Sequence, residues 1–262
     1  MALLERTDSD GIAHLNLNAP DKLNALSEAM LTALQDQFDA LQEDRNIRAV
    51  ILSGSGKAFC AGHDLKEMTT GRQAEDGGKA YFKHLFDKCG RMMTSIHKVP
   101  QPVIAQVHGI ATAAGCQLVA SCDLAVAGQG TQFGVNGVNI GLFCSTPMVA
   151  LSRNIPRKQA FEMLSTGKFI DADKAMSLGL VNRVVPSDEL ISATRELAEA
   201  VAGKLAVAVK IGKEAFYNQL QMPLAEAYEY TGDVMVGNML QRDTEEGISA
   251  FLEKRPPNWD QS

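Results

Sequence analysis

Apolar runs of strand length alternate with amphipathic helical stretches up to about residue 185, and this alternation limits the fold more than any other feature of the sequence. Such alternation is typical of α/β proteins with a mainly parallel sheet. Gly11–Asn18 has the period-two pattern of a half-buried strand, whereas Arg48–Ser53 and Pro102–Val107 are apolar enough for buried strands. The sequence therefore predicts an α/β core.

Two helices are predicted between these strands. Ser27 is a candidate N-cap for the first helix, whose apolar stripe consists of Leu31, Leu34, Phe38 and Leu41. The second is predicted over Glu75–His97, because Pro100 and Pro102 cannot continue a helix.

From Ser187 onward the strands stop and only helices are predicted. Their ranges are Ser187–Lys204, Ala206–Gln219, Pro223–Leu240 and Thr244–Lys254. The chain is therefore predicted to consist of a core at 1–186 and a helical region at 187–262. Apolar residues on more than one face, as around Met235 and Met239, indicate burial against another subunit or against the core itself.

Composition excludes several classes of protein. A chain of 262 residues with 45% hydrophobic composition can bury a full core, and its five scattered cysteines contain no C-x-x-C pair, so neither disulfides nor a zinc or other metal site are expected. No apolar run approaches the roughly 20 residues of a membrane helix, and the N-terminus has neither signal-peptide nor transit-peptide character. The net charge of -6 opposes nucleic acid binding. A cytoplasmic protein without membrane or nucleic acid partners is expected.

Two segments have the same local design, a strand followed by a glycine turn and the start of a helix. They are Ser53–Met68 (SGSGKAFCAGHDLKEM) and Val107–Asp123 (VHGIATAAGCQLVASCD). Glycines that merely form turns are the simpler interpretation. However, each turn also presents backbone N–H groups at a helix start, and two such turns can direct one N–H each at a single oxygen. The pattern thus favours an oxyanion hole.

Several motifs, in this order and spacing, resemble the crotonase (enoyl-CoA hydratase/isomerase) superfamily. They cover almost the whole chain: PDKLNAL at 20–26, AFCAGHDL at 58–65, HG at 108–109, GCQL at 115–118, CDL at 122–124, AMSLGLV at 175–181, EG at 246–247 and FLEKR at 251–255. The resemblance implies a ClpP-like spiral of ββα units with a C-terminal helical trimerisation region. A homotrimer or a dimer of trimers is implied with it.

The resemblance also implies the roles of individual residues. The backbone amides of His63 and Ala114 would hold the oxygen of an acyl-CoA thioester and stabilise an enolate. Coenzyme A would enter as part of the substrate, with no permanently bound cofactor, and its channel would be lined by Lys22, Leu23, Ala61, Asp64, Leu65 and Lys66.

This chain departs from the family pattern at the two glutamates that hydratases use. Gln117 and Gly137 stand at those positions, and neither accepts a proton at neutral pH. Ordinary hydration of an enoyl thioester is therefore expected to be weak, because it needs one group to activate water and another to protonate the α-carbon. Replacing both residues by glutamate is expected to raise hydration more than either change alone.

Three functions remain open on this evidence. The first is an enolate-forming enzyme of the hydratase/isomerase type, with Gln117 orienting water and with side-chain roles for His63 and Cys144 as hypotheses. The second is a β-carboxyacyl-CoA decarboxylase, since a methylmalonyl-CoA decarboxylase branch also has Ala-Gly-His-Asp, here Ala61–Asp64, although a tyrosine replaces Cys144 there. The third is a non-catalytic acyl-CoA binding protein. Asp64 and Asp123 are interpreted as structural.

Overall fold

The computed structural model describes residues 2–260, in which nine strands and eleven α-helices follow one another. The strands are β1 (Leu4–Ser9), β2 (Ile12–Leu17), β3 (Ala49–Gly54), β4 (Val103–Val107), β5 (Ile110–Thr112), β6 (Leu124–Gly128), β7 (Gln132–Gly134), β8 (Ile170–Asp171) and β9 (Arg183–Val185). The helices are α1 (Glu28–Glu43), α2 (Leu65–Gly71), α3 (Lys79–Lys98), α4 (Ala114–Ser121), α5 (Pro147–Asn154), α6 (Arg157–Thr166), α7 (Ala172–Leu178), α8 (Leu190–Ala202), α9 (Ala206–Gln219), α10 (Leu224–Met239) and α11 (Arg242–Leu252).

The strands form two sheets. The larger has the order β1-β2-β3-β4-β6-β9, in which only the β1–β2 pair is antiparallel. The smaller has the order β5-β7-β8. The predicted α/β class is confirmed by this architecture.

The central strands of the larger sheet are buried on both faces, as parallel strands usually are. Strand β2 shows the division. Its residues Ala13, Leu15 and Leu17 point into the main core with α1 and α3, whereas Ile12 points into a second cluster covered by α8. This two-sided burial explains why the β3 and β4 segments are mostly apolar.

The predicted elements of the core are present with small shifts. Ser27 does cap α1, accepting a hydrogen bond from the Met30 amide at 3.2 Å. Strand β1 and the smaller sheet are not among the elements predicted from the sequence, and the strands of that sheet have only two or three residues. Such short strands have too few residues to show a period.

The C-terminal helices lie at the predicted places, and α9 is tied to the core by a buried ion pair. Lys213 Nζ lies 2.6 Å from Asp123 Oδ2 and donates to the carbonyls of Ile96 and Gln101. The other Asp123 oxygen accepts from Tyr217 at 2.7 Å. Asp123 is thus occupied structurally, as interpreted from the sequence. The division of the chain at residue 186 stays a prediction, and α8, beyond it, packs directly on the larger sheet.

No helix among residues 2–260 is long and apolar enough to cross a membrane.

Candidate active site

The two strand–turn–helix segments lie side by side, in backbone contact. Cys60 and Ala111 form a parallel bridge, and a Cβ added to Gly115 would lie 2.1 Å from the Cys60 carbonyl oxygen. A Cβ on Gly62, whose φ is +90°, would lie 3.2 Å from the Ala114 nitrogen. Only glycine permits this approach. It places Gly62, and with it the amide of the next residue, His63, beside the amide of Ala114.

Both amides are free of partners within residues 2–260. Neighbouring groups are paired, since the Leu26 amide donates to the Gly62 carbonyl at 2.7 Å and the Ala61 amide donates to Leu23 at 3.0 Å. The His63 amide, next along the chain, donates to no described group, and neither does that of Ala114, the first residue of α4. Two adjacent unpaired N–H groups, one of them at a helix N-terminus, form a site for developing negative charge.

Ala113 holds the start of α4 in an unusual backbone conformation. Its φ of 51° and ψ of -119° are sparsely populated by residues with a Cβ. The amide of Ala113 donates to Gly134 at 2.9 Å, and its carbonyl accepts from Gln117 at 3.1 Å, so hydrogen bonds on both sides hold this geometry. Strain of this kind concentrates at functional sites.

The ring of His63 points into the protein. Its Nδ1 lies 3.3 Å from the Leu26 carbonyl oxygen, and the ring meets Phe86 edge-on at 5.7 Å. Its Nε2 is buried without a hydrogen-bond partner among the described residues. Burial lowers the pKa of this imidazole below its ordinary value, so that it is neutral at pH 7.

Gln117 and Gly137, the two residues at the positions of the family's glutamates, are both buried. Gln117 is 5% exposed, and its Oε1 has no partner among the described residues. A Cβ on Gly137 would lie 2.3 Å from the Leu142 carbonyl oxygen and 2.9 Å from Cys144 Sγ. A carboxylate therefore cannot be placed at position 137 without displacing the backbone, which removes the basis of the gain expected from Gly137→Glu.

Cys144 occupies the space toward which a side chain at 137 would extend. It is 6% exposed, and burial raises the pKa of its thiol. The thiol is therefore protonated at neutral pH, whereas a nucleophilic cysteine must be a thiolate. These observations favour a packing role for Cys144 beside Gly137 over the catalytic role, which stays a prediction.

The residues predicted for the coenzyme A channel form a rim beside the two amides. Asp64 caps α2 by accepting from the Lys66 amide at 2.9 Å, and its other oxygen lies 3.4 Å from Lys22 Nζ. Burial opposes ionisation of Asp64, but these hydrogen bonds prevail and lower its pKa. Leu23 and Leu65 are 37% and 54% exposed, and Lys22 is exposed as well. Ala61 is half-buried. Asp64 thus supports the rim, which presents cationic and apolar groups to solvent.

A row of aromatic side chains on α3 lies beside His63 and is not evident from the sequence alone. The ring of Phe86 contacts His63, Phe82 stacks on Phe86 at 6.4 Å, and Tyr81 meets Phe82 edge-on at 5.5 Å. The Tyr81 hydroxyl is buried without a partner among the described residues. Aromatic residues at 81, 82 and 86 were visible in the sequence, but only the fold places them against His63.

No group of three or more His, Cys, Asp or Glu side chains within residues 2–260 could hold a metal ion.

The chain is similar to known proteins in family, sequence and structure. The model of the enoyl-CoA hydratase/isomerase family matches residues 7–262. Among curated proteins, human mitochondrial enoyl-CoA hydratase domain-containing protein 3 is 47% identical over 250 residues, covering 95% of this chain and 81% of that protein. Its Xenopus laevis counterpart is 46% identical over 252 residues, covering 96% and 84%. The segments ATAAGCQLVASCD at 111–123 and GLFCSTP at 141–147 resemble this subgroup, and the overall identities confirm the resemblance.

Solved structures confirm the predicted crotonase fold with C-terminal helices. An enoyl-CoA hydratase from Mycobacterium smegmatis has a TM-score of 0.94 at 53% identity and covers 98% of both chains. The human domain-containing protein 3 has a TM-score of 0.93 at 46% identity and covers 98% of this chain and 100% of that one.

Proposed function

The chain belongs to the enoyl-CoA hydratase/isomerase family, and from that premise we propose that it is an enzyme of acyl-CoA thioesters that stabilises an enolate. The observation that carries the proposal is the adjacent pair of unpaired amides, those of His63 and Ala114. They donate to the thioester oxygen, which gains negative charge when the α-carbon loses a proton. One such donor typically contributes about 10²–10³-fold to a rate.

Coenzyme A enters this site as part of the substrate and is not a resident cofactor. The cationic groups of Lys22 and Lys66 are exposed at the rim and suit the phosphates of the nucleotide. The apolar side chains of Leu23 and Leu65 suit the pantetheine part of coenzyme A, which is less polar than the nucleotide.

We expect this protein to hydrate enoyl thioesters only slowly. Gln117 can orient water through hydrogen bonds but cannot remove its proton, and Gly137 contributes no side chain. Losing a general acid or base typically lowers a rate by about 10²–10⁴-fold.

Two other functions compete with this one. Decarboxylation of a β-carboxyl thioester also forms an enolate at the oxyanion site and needs little acid/base machinery, so the missing glutamates are compatible with it. A non-catalytic acyl-CoA binder is compatible with the missing carboxylates. However, mere binding needs no strained turn at Ala113 to hold an unpaired amide.

The test is to incubate the purified protein with enoyl-, β-ketoacyl-, malonyl- and methylmalonyl-CoA and to follow the products by mass spectrometry. We expect turnover of substrates that pass through an enolate, with little hydration of crotonyl-CoA. Loss of CO₂ from methylmalonyl-CoA as the dominant reaction would favour the decarboxylase. Binding without turnover of any thioester would favour the binder.

We also propose that the protein forms a homotrimer or a dimer of trimers and that it is located in the cytoplasm. The exposed apolar residues of α10 and α11 support the assembly. The vertebrate relatives carry "mitochondrial" in their names. Cell fractionation with detection of the native protein tests its location.

A further inference from the structure

Asn136 carries an amide donor for which the protein supplies no acceptor. The Thr112 hydroxyl donates to Asn136 Oδ1 at 2.7 Å, and this contact fixes the orientation of the amide. Nδ2 therefore keeps two N–H groups that no group among residues 2–260 accepts. The side chain is half-buried and Nδ2 is not enclosed, so a ligand can reach these donors.

The neighbouring chain places Asn136 beside the oxyanion site. Its partner Thr112 is two residues before Ala114, in the turn that opens α4. Thr112 pairs with Gly134 in the smaller sheet, and the Gly134 carbonyl accepts from the Ala113 amide at 2.9 Å. The segment that leads to Asn136 thus runs along the same turn whose next amide, that of Ala114, is unpaired.

Gln117 presents a second amide donor from α4. Its backbone amide donates to the Ala113 carbonyl at 3.1 Å, so the residue lies one turn into the helix from the oxyanion site. Its Oε1 is enclosed by protein without a partner, whereas its Nε2 has no described partner either but is not enclosed. Gln117 therefore offers a donor to a bound acyl group.

Four amides thus present N–H donors around the place of the acyl group. They are the backbone amides of His63 and Ala114 and the side-chain amides of Gln117 and Asn136. No glutamate stands at either position of the family's pair, and burial raises the pKa of the nearby Cys144 thiol, which stays uncharged. A site of this kind favours an acyl group with more than one acceptor oxygen.

We propose that the side-chain amides of Asn136 and Gln117 bind a second oxygen, that of a carbonyl or carboxylate group on the β-carbon of the acyl group. Thr112 is the positioning residue that orients Asn136, and the two backbone amides hold the thioester oxygen. This inference rests on the proposed enolate function and names its substrate class, β-dicarbonyl thioesters of the 3-oxoacyl or malonyl type.

The missing carboxylate base matters less for a 3-oxoacyl thioester. Its α-hydrogen lies between two carbonyl groups and is more acidic than that of a simple acyl thioester. The hydrogen leaves to solvent as a proton, and the C–H electron pair is shared between the two carbonyl oxygens, which the four donors then stabilise. A malonyl carboxylate already carries its charge and accepts hydrogen bonds at the same place.

The test compares three probes by calorimetry: acetoacetyl-CoA has a β-ketone, malonyl-CoA has a β-carboxylate, and butyryl-CoA has neither. Wild-type protein is compared with Asn136→Leu, which has a similar volume but no donor, and with Thr112→Val, which lacks the hydroxyl that orients Asn136. Thr112→Ser keeps that hydroxyl. Asn139→Leu, at an exposed position three residues further along, is the matched control.

We expect wild type to bind acetoacetyl-CoA or malonyl-CoA about 10–100-fold more tightly than butyryl-CoA, which is the typical effect of hydrogen bonds to a charged acceptor. The more tightly bound of the two identifies the second oxygen as that of a ketone or a carboxylate. Asn136→Leu and Thr112→Val should lose most of this preference and still bind butyryl-CoA, which shows that they are folded. Thr112→Ser and Asn139→Leu should keep the preference.

The ultraviolet absorbance of the acetoacetyl-CoA enolate gives a second readout. At a fixed pH, the probe bound to wild type should show a larger enolate fraction than the free probe, and Thr112→Val should lower that fraction while Thr112→Ser restores it. Equal binding of all three probes by wild type, or a preference that survives in Asn136→Leu, would overturn this inference and leave the enolate function intact. Failure of wild type to bind any of the three would overturn both.

Discussion

Gly137 illustrates how one residue decides which chemistry a site can host. Its missing side chain removes a carboxylate, and the space is closed by Leu142 O and Cys144 Sγ. Since its φ is not in the left-handed region, the glycine is required for space and not for backbone angle. Reversing the loss of the carboxylate therefore requires rebuilding the loop.

Gly137→Ala is accordingly expected to lower the free energy of unfolding by about 1–3 kcal/mol, because a Cβ 2.3 Å from a backbone oxygen forces the chain apart. Gly90→Ala on α3 is the control. Its Cβ meets nothing within 4 Å, so a gain of about 0.5–1 kcal/mol is expected from better helix propensity. Urea denaturation of both variants measures the difference. Equal stabilities of Gly137→Ala and wild type would show that the segment from Gly137 to Cys144 accommodates the extra methyl group without loss of stability.

At the scale of elements, helix α9 depends on one buried cation. Lys213 is 8% exposed and donates three hydrogen bonds, to Asp123, Ile96 and Gln101. Tyr217, one turn later, donates to the same carboxylate and stacks on His97 at 4.0 Å. These contacts connect the C-terminal helices to the strands that carry the site.

Lys213→Met is expected to cost about 3–5 kcal/mol of stability, because it leaves the Asp123 carboxylate buried without its cation. Lys210→Met, at an exposed position of the same helix, should change stability by no more than about 0.5 kcal/mol. Chemical denaturation followed by circular dichroism compares the two. A Lys213 variant as stable as the Lys210 variant would mean that the ion pair does not hold α9.

Parts of the fold were predictable because their signals are local. The strands β2, β3 and β4, the cap at Ser27 and the bounds of α9 follow from period, capping and proline. The position of the two amides came from motifs that resemble the family. The crowding around Gly137 and the unpartnered Nε2 of His63 were not predictable, because each depends on groups from distant or differently folded segments, such as Phe86 and the Leu26 carbonyl.

At the scale of the whole molecule, the C-terminal helices leave a large apolar surface uncovered. Tyr228, Leu240, Phe251 and Leu252 are 73%, 81%, 82% and 73% exposed. Apolar surface of this extent usually marks an interface between subunits. It supports the predicted trimer.

Light scattering at micromolar concentration is expected to give a mass of three or six chains. Leu240→Glu should shift the population toward the monomer, because it would bury a charge in the interface. Ile191→Glu is the control. Ile191 is also an apolar residue and is 71% exposed, but it lies on α8, so its replacement should leave the mass unchanged. A monomeric wild type would contradict the prediction.

The central claim is that the amides of His63 and Ala114 polarise a thioester carbonyl, and infrared spectroscopy tests it most directly. Butyryl-CoA labelled with ¹³C at its carbonyl is added to the protein, and the labelled stretch is compared with that of the free thioester. Hydrogen bonds from two preorganised amides lower this frequency, so the account predicts a clear shift to lower wavenumber on binding. A bound thioester whose carbonyl stretch stays at its value in water, or moves higher, would contradict the account.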